Sequence, residues 1–206
     1  FIFVQLGTAA ANYYFGKRMI GSNRKIDSDV GSSGVSQSVQ INSGTNYDSL
    51  DVAIVPFLSL GGFIWEDKNG NGVQEVLELG IKNVQVLLFD AVTKAQLKTT
   101  LTDMNGRYLF TKLKSGSYFV KVSPPVNFKF TLANVDSDLT DSDIDHSNGL
   151  NSSSSLILSM GLANPNLDGG LYQCASISGT VWNDVNYNSV YNSSERGING
   201  LIVRLY

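Results

Sequence analysis

The sequence predicts an all-β protein, and three observations carry that prediction. Apolar residues alternate with polar ones in short runs, turn-forming residues separate the runs, and the chain repeats its own pattern. In NVQVLLFD (83–90), Val84, Val86 and Leu88 fall on one face. In SGSYFVKV (115–122), Tyr118, Val120 and Val122 oppose Phe119 and Lys121, and in RYLF Tyr108 and Phe110 share a face. This is the period-2 pattern of strands rich in β-branched and aromatic residues. Asp103-Met-Asn-Gly106, Lys114-Ser-Gly116 and Pro124-Pro125 punctuate it. Strands at roughly 8–12-residue intervals fit a β-sandwich or barrel. AVTKAQLK (91–98) has some helical character but lies between two strand-like runs. Trp65, Phe89, Tyr108, Phe110 and Tyr118 occupy alternating positions that read as core, whereas Tyr13-Tyr14-Phe15 is the one run of adjacent aromatics that could be exposed.

Shifted by 117 residues, the sequence matches itself without a gap (Trp182 against Trp65, 182 − 65 = 117), and 14 of the 40 positions from Leu50 to Phe89 are identical. Asp51 falls on Asp168, Gly62 on Gly179, Asp67 on Asp184, Glu78 on Glu195 and Gly80-Ile81 on Gly197-Ile198. Asp27-Ser-Asp29 resembles Asp141-Ser-Asp143 at an offset of 114 (141 − 27 = 114). Residues 1–57 therefore read as the C-terminal part of one copy, 58–174 as a complete copy and 175–206 as the N-terminal part of the next, a window on a tandem array. The expected partners are neighbouring repeats of the same protein, including self-assembly into a filament in which such partial copies complete one another.

Composition narrows the function. Charged residues make up 16% of the chain and the net charge is −3, too few cations for a nucleic-acid surface. No apolar run is long enough for a membrane span. The single cysteine, Cys174, forms no internal disulfide and, flanked by apolar residues, is expected to be a buried, inert thiol. One histidine, His146, beside Asp145, is read as a solvated loop residue. No nucleophile–base arrangement or phosphate loop is present, so the chain is expected not to be an enzyme.

WEDKNGNGVQEVLE (65–78) carries the clearest chemistry. Asp67, Asn69, Asn71, Val73 (through its carbonyl), Glu75 and Glu78 fall on positions 1, 3, 5, 7, 9 and 12 of a calcium loop, with Gly72 at the sharp turn of position 6. Turn chemistry explains the Asn-Gly pairs but not Glu78. Nor does it explain the next copy, where Asp184, Asn186, Asn188, Val190, Asn192 and Glu195 take the same positions, with Ser189 in place of the glycine. That second loop is expected to be strained or weaker. A second Ca2+ candidate is the acidic stretch holding Asp136, Asp138, Asp141, Asp143 and Asp145, which is either a solvated loop or a clasp closed by a cation. Asp103 reads as a hairpin-turn residue. Because the Asp67 loop follows the first strand after the junction at residue 57, an ion there is expected to pin the entry of the domain and restrain bending at that junction.

Five stretches, taken together, resemble the B-repeat domains of serine–aspartate repeat surface proteins, relatives of the collagen-adhesin B type. They are GGFIWEDKNGNG, ELGIKNVQVLLFD, TTLTDMNGRYLFTKLKSGSYFVKV, TDSDID and LDGGLY. The resemblance implies tandem Greek-key β-sandwiches, Ig-like or prealbumin-like, with several bound calcium ions each. It implies a stalk on the cell surface, outside the cell. The family's first calcium loop maps onto Asp67, Asn69, Asn71, Val73 and Glu78, and its Asp-rich loop onto Asp136 to Asp145. GGFIW lacks the lysine from which related domains form an intramolecular isopeptide bond, so none is expected here. The alternative reading is a glycan- or protein-binding adhesive module, or an accessory domain of a larger secreted enzyme.

Overall fold

The computed structural model describes residues 1–18, 27–44, 46–47, 50–137, 139–160 and 166–205. Residues Phe1–Gln173 form one compact unit and Cys174–Tyr206 another. The first unit contains two four-stranded sheets and a two-stranded one. The strands, in order, are β1 (Tyr13–Phe15), β2 (Ile54–Pro56), β3 (Leu58–Glu66), β4 (Gln85–Asp90), β5 (Gln96–Leu101), β6 (Arg107–Leu113), β7 (Gly116–Ser123), β8 (Phe128–Phe130), β9 (Leu156–Leu158) and β10 (Gly169–Gln173). AVTKAQLK thus resolves into a hairpin turn and the start of a strand: the Asp90 carboxylate accepts the N–H groups of Val92 and Thr93 (2.9 and 2.8 Å) and bends the chain from β4 into β5.

β6-β3-β10-β8 and β5-β4-β7-β9 face each other as a Greek-key sandwich. Every pairing is antiparallel except β3 with β10, which run side by side in the same direction with Ile64, Trp65 and Glu66 opposite Gly169, Gly170 and Leu171. The core lies between the sheets. Val84, Val86 and Leu88 meet Leu60, Ile64, Tyr108, Phe110 and Leu171, joined by Tyr118, Val120 and Val122. Full burial of one such aliphatic side chain contributes about 1.5–3 kcal/mol. The opposite face of each central strand carries a smaller aromatic layer. Trp65, although fully buried, lies outside the main core: it stacks on Phe63 (6.2 Å between ring centroids) and fills the space that Gly170 leaves open. Phe89 stacks on Phe119 at 5.0 Å, with Lys121 over one ring and Lys94 over the other. Alternation separates the two faces of a strand, but large aromatics such as Trp65 and Phe119 are buried on the outer face too.

The described part of residues 1–57 repeats several hydrogen bonds of the complete copy. β1 pairs with β2 as β8 pairs with β10. Asp29 N–H donates to the Asp51 carbonyl (2.9 Å) as Asp143 N–H does to that of Asp168 (2.8 Å). The return bonds, from Asp51 N–H to Asp29 Oδ2 and from Asp168 N–H to Asp143 Oδ2, measure 2.8 and 2.6 Å. Ser28 Oγ accepts Ala53 N–H as Ser142 Oγ accepts Gly170 N–H. One residue, Phe57, separates β2 from β3.

Cys174 is exposed, not buried. It stands just beyond β10, where the apolar neighbours seen in the sequence have no sheet to pack on. Among the described residues no helix is long and apolar enough to cross a membrane.

Candidate metal centre

The Asp67 loop leaves the end of β3, and its frame is a chain of short-range hydrogen bonds set by its polar side chains. Asp67 accepts Gly70 N–H on Oδ1 (2.6 Å) and Gly72 N–H on Oδ2 (2.8 Å). Asn69 Oδ1 accepts Asn71 N–H (3.0 Å) and Asn71 Oδ1 accepts Val73 N–H (2.8 Å). Glu78 closes the loop, accepting Lys68 N–H on one oxygen (2.8 Å) and Glu75 N–H on the other (3.2 Å). These bonds orient the side-chain oxygens of residues 67, 69, 71 and 78 on one short turn and leave each with further lone pairs. Gly72 is required on two counts: its φ is +86°, and a Cβ there would lie 2.6 Å from the Leu132 carbonyl. Asp67 and Glu78 are buried, whereas Asn69 is exposed. Burial pushes the Glu78 carboxyl up from its ordinary value, against the backbone N–H groups of Glu75 and Lys68. Glu75 is held down by the amides of Asn71 and Asn69.

In the second unit the loop from Asp184 repeats this frame. Ser189 N–H donates to Asp184 Oδ2 (2.8 Å), Asn188 N–H to Asn186 Oδ1 (3.1 Å) and Val190 N–H to Asn188 Oδ1 (2.8 Å). Glu195 accepts Val185 N–H (3.2 Å) and Asn192 N–H (3.0 Å), the counterparts of the two bonds to Glu78. Tyr187 and Ser189, at φ +57° and +59°, stand where the first loop has Gly70 and Gly72. Left-handed backbone costs a residue with a Cβ roughly 1–2 kcal/mol. In addition, Asn192 Nδ2 donates to the Val190 carbonyl (2.7 Å), the oxygen that position 7 would offer a cation.

The acidic stretch is not one cluster. Asp138 lies outside the described residues. Asp136 is exposed, and Asp145 spends both oxygens on Ser147 in a local turn. Asp141 and Asp143 are buried. Asp141 pairs with Val73 across an isolated bridge, and Gln74 N–H donates to Thr140, so this stretch lies against the Asp67 loop. Asp141 Oδ2 accepts Asp136 N–H (3.0 Å), but its Oδ1 is buried and finds no donor among the described residues; both oxygens of Asp27, its counterpart in the preceding copy, are in the same state. A buried carboxylate oxygen without a donor is costly unless a cation faces it. Asp143 instead joins Asp168, whose Oδ1 accepts Phe63 N–H (2.6 Å), tying the stretch to β3 and β10. Beside them the buried Tyr108 donates to the Leu167 carbonyl, and its own ionisation is pushed well up by burial and then by the charges of Asp168 and Asp143. Among the described residues no three His, Cys, Asp or Glu side chains gather as a metal cluster, so the donor set rests on Asn amides and backbone carbonyls as well as carboxylates.

Two residues of this region escape the sequence pattern. Thr131 donates to Asp67 Oδ2 from 64 residues away, and its repeat neighbour in the preceding copy, Gly16, has no side chain to signal the role. Asp168 had a signal, its identity with Asp51, but its partners lie outside any local motif. The loop also lies at the opposite end of the domain from the junction at residue 57. β3 has nine residues, so about 30 Å separates its ends. Asp67 N–H donates to the Leu171 carbonyl (2.9 Å), which places the loop beside the last residues of β10, the exit of the domain rather than its entry.

A family model, the SdrD B-like domain, matches residues 58–171. Serine-aspartate repeat-containing protein E of Staphylococcus aureus (strain USA300) is 36% identical over 187 residues, covering 89% of this chain and 15% of the relative. Serine-aspartate repeat-containing protein D of S. aureus (strain Newman) is 35% identical over 188 residues, covering 90% of this chain and 13% of the relative. The chain thus spans a small part of the length of both. Among solved structures, the group B streptococcus pilus 2b backbone protein is similar at a TM-score of 0.36 and 13% identity, over 64% of this chain and 46% of that one.

Proposed function

The chain belongs to the SdrD B-like domain family, and on that footing we propose that it is a calcium-stiffened structural repeat, a segment of a stalk or fibre displayed outside the cell. The observation that carries the reading is the shared frame of the two loops. Asn69 and Asn186, Asn71 and Asn188, and Glu78 and Glu195 keep the same donors, and Asp67 and Asp184 share the one to Oδ2, although the residues between them differ. A turn kept only for its shape has no need of a buried glutamate at its end. Ca2+ is a hard cation that takes six to eight oxygens, and the loop's carboxylates, amides and Val73 carbonyl are of that kind. The residues' own part is to fold the loop in advance, so that binding orders little further chain. Asp141, pressed against Val73, supplies the remaining buried charge.

Isothermal titration of the whole chain with calcium tests this. At extracellular-module affinities of about 0.1–1 mM, Asp67→Ala with Glu78→Ala should remove the tightest event and leave the weaker Asp184 loop. Absence of any calcium-dependent heat would refute the reading.

Acid should weaken binding, and early. Glu78 must ionise to bind, and its raised value means the proton returns at a higher pH than for an ordinary carboxylate. In the metal-free chain the sign is opposite: the stability owed to protonated Glu78 is complete below its unfolded value and is lost as pH rises through the folded one. Calcium affinity is therefore expected to fall at a higher pH than for a loop closed by an ordinary carboxylate, and Glu78→Gln should flatten that dependence.

A further inference from the structure

We propose that the β6–β7 hairpin tip is a knob that docks on an aromatic socket, Tyr14 and Phe57, of the preceding copy, and that this packing fixes the angle between the two copies without a cation. The tip is Lys114-Ser115. Its ammonium lies over the Tyr14 ring, 5.2 Å from the centroid, and Ser115 N–H reaches the Tyr14 hydroxyl at 3.4 Å across 101 residues of sequence. The Tyr14 ring in turn rests against Phe57, 5.1 Å away. The parts that meet are themselves braced. Tyr118 hydroxyl donates to the Lys114 carbonyl (2.8 Å), fixing the tip from inside its own sandwich. Phe57 N–H donates to the Asn12 carbonyl (2.7 Å), so the single residue between β2 and β3 is tied down as well.

The sandwich does not ask for these rings. The positions that correspond to Tyr14 and Phe57 in the complete copy are Lys129 (129 − 14 = 115, the offset that aligns β1 with β8) and Cys174 (174 − 57 = 117), and both are exposed. With all its own strands in place, a copy therefore leaves this face uncovered. At the junction near residue 57 the same face carries two aromatic rings, and a neighbouring hairpin tip covers them. A ring pair and a cation over a ring act over short distances and in one orientation, which is what an angular stop requires.

The test is a distance distribution between spin labels at Ser43→Cys and Met104→Cys, both exposed positions, in the whole chain with Cys174→Ser. The parent should give a narrow distribution that EDTA leaves unchanged, which also separates this inference from the calcium reading. Tyr14→Ala should broaden it, with about a tenfold rise in bent arrangements. Tyr14→Lys, the residue found at 129, should broaden it further at low salt, because two ammonium groups then meet. Tyr14→Phe should stay close to the parent. Because Tyr14→Ala can also loosen β1, Lys114→Ala removes contact from the other side and must broaden the distribution too. An unchanged width in Tyr14→Ala, broadening confined to the Tyr14 variants, or broadening of the parent by EDTA to the level of Tyr14→Ala would each overturn the proposal.

Discussion

Chelation with EDTA is expected to lower the melting temperature of the complete copy by about 7 °C, the largest effect expected of any change in solution conditions. A site of about 0.1 mM in about 2 mM calcium would contribute roughly 1.8 kcal/mol. For a domain of this size each kcal/mol moves the midpoint by about 4 °C or more. The reason to expect so much from an ion is local. The Asp67 loop, the acidic stretch and the end of β10 are linked by polar bonds as well as by the core residues Ile144 and Leu171. They hold together through Thr131 on Asp67, Asp141 beside Val73 and Asp67 N–H on Leu171. Differential scanning calorimetry of the whole chain with calcium, then with EDTA, measures the shift. Midpoints that coincide would show that these bonds suffice alone.

Gly80→Ala is expected to cost more than any loop substitution, about 4 kcal/mol or more, near the upper limit for one residue. A Cβ on Gly80 would lie 1.9 Å from the Asn105 carbonyl oxygen and 2.7 Å from Gly106 N, both backbone atoms that cannot swing aside. Gly106 has φ +80° and approaches Gly80 from the other side, its own Cβ position 2.6 Å from the Gly80 Cα. The two glycines let the end of the Asp67 loop press on the β5–β6 turn, where Asp103 Oδ1 gathers the N–H groups of Asn105 and Arg107. Urea unfolding of the variant measures the loss. A midpoint near that of the parent would show that the turn can retreat.

The sequence made the strands and the loop frame readable because both depend on near neighbours. Alternation reports burial along one strand, as at Val84, Val86 and Leu88. The side chains of Asn69 and Asn71 bond two residues onward, so their spacing contains their geometry. What resisted reading depends on distant partners. Thr131 and Asp67 lie 64 residues apart, and Asp168 and Phe63 lie 105 apart. Trp65 and Phe89 are large and alternate correctly, yet they lie on the faces of their strands opposite the main core. The loop's place at the exit of the domain follows from the length and direction of β3, which no motif encodes. Cys174 shows the same limit: apolar neighbours in sequence do not make a buried site.

The parallel pairing of β3 with β10 has a mechanical meaning. The chain enters the complete copy at Leu58 and leaves it at Gln173, at opposite ends of two strands lying side by side. A pull on the two ends of this copy loads their shared hydrogen bonds in shear, so the bonds at Ile64, Trp65 and Glu66 must yield together. They cannot be unzipped one at a time. Tension thus runs through the centre of the β6-β3-β10-β8 sheet and bypasses the hairpins, and the Asp67–Leu171 bond stands where that load path leaves the domain.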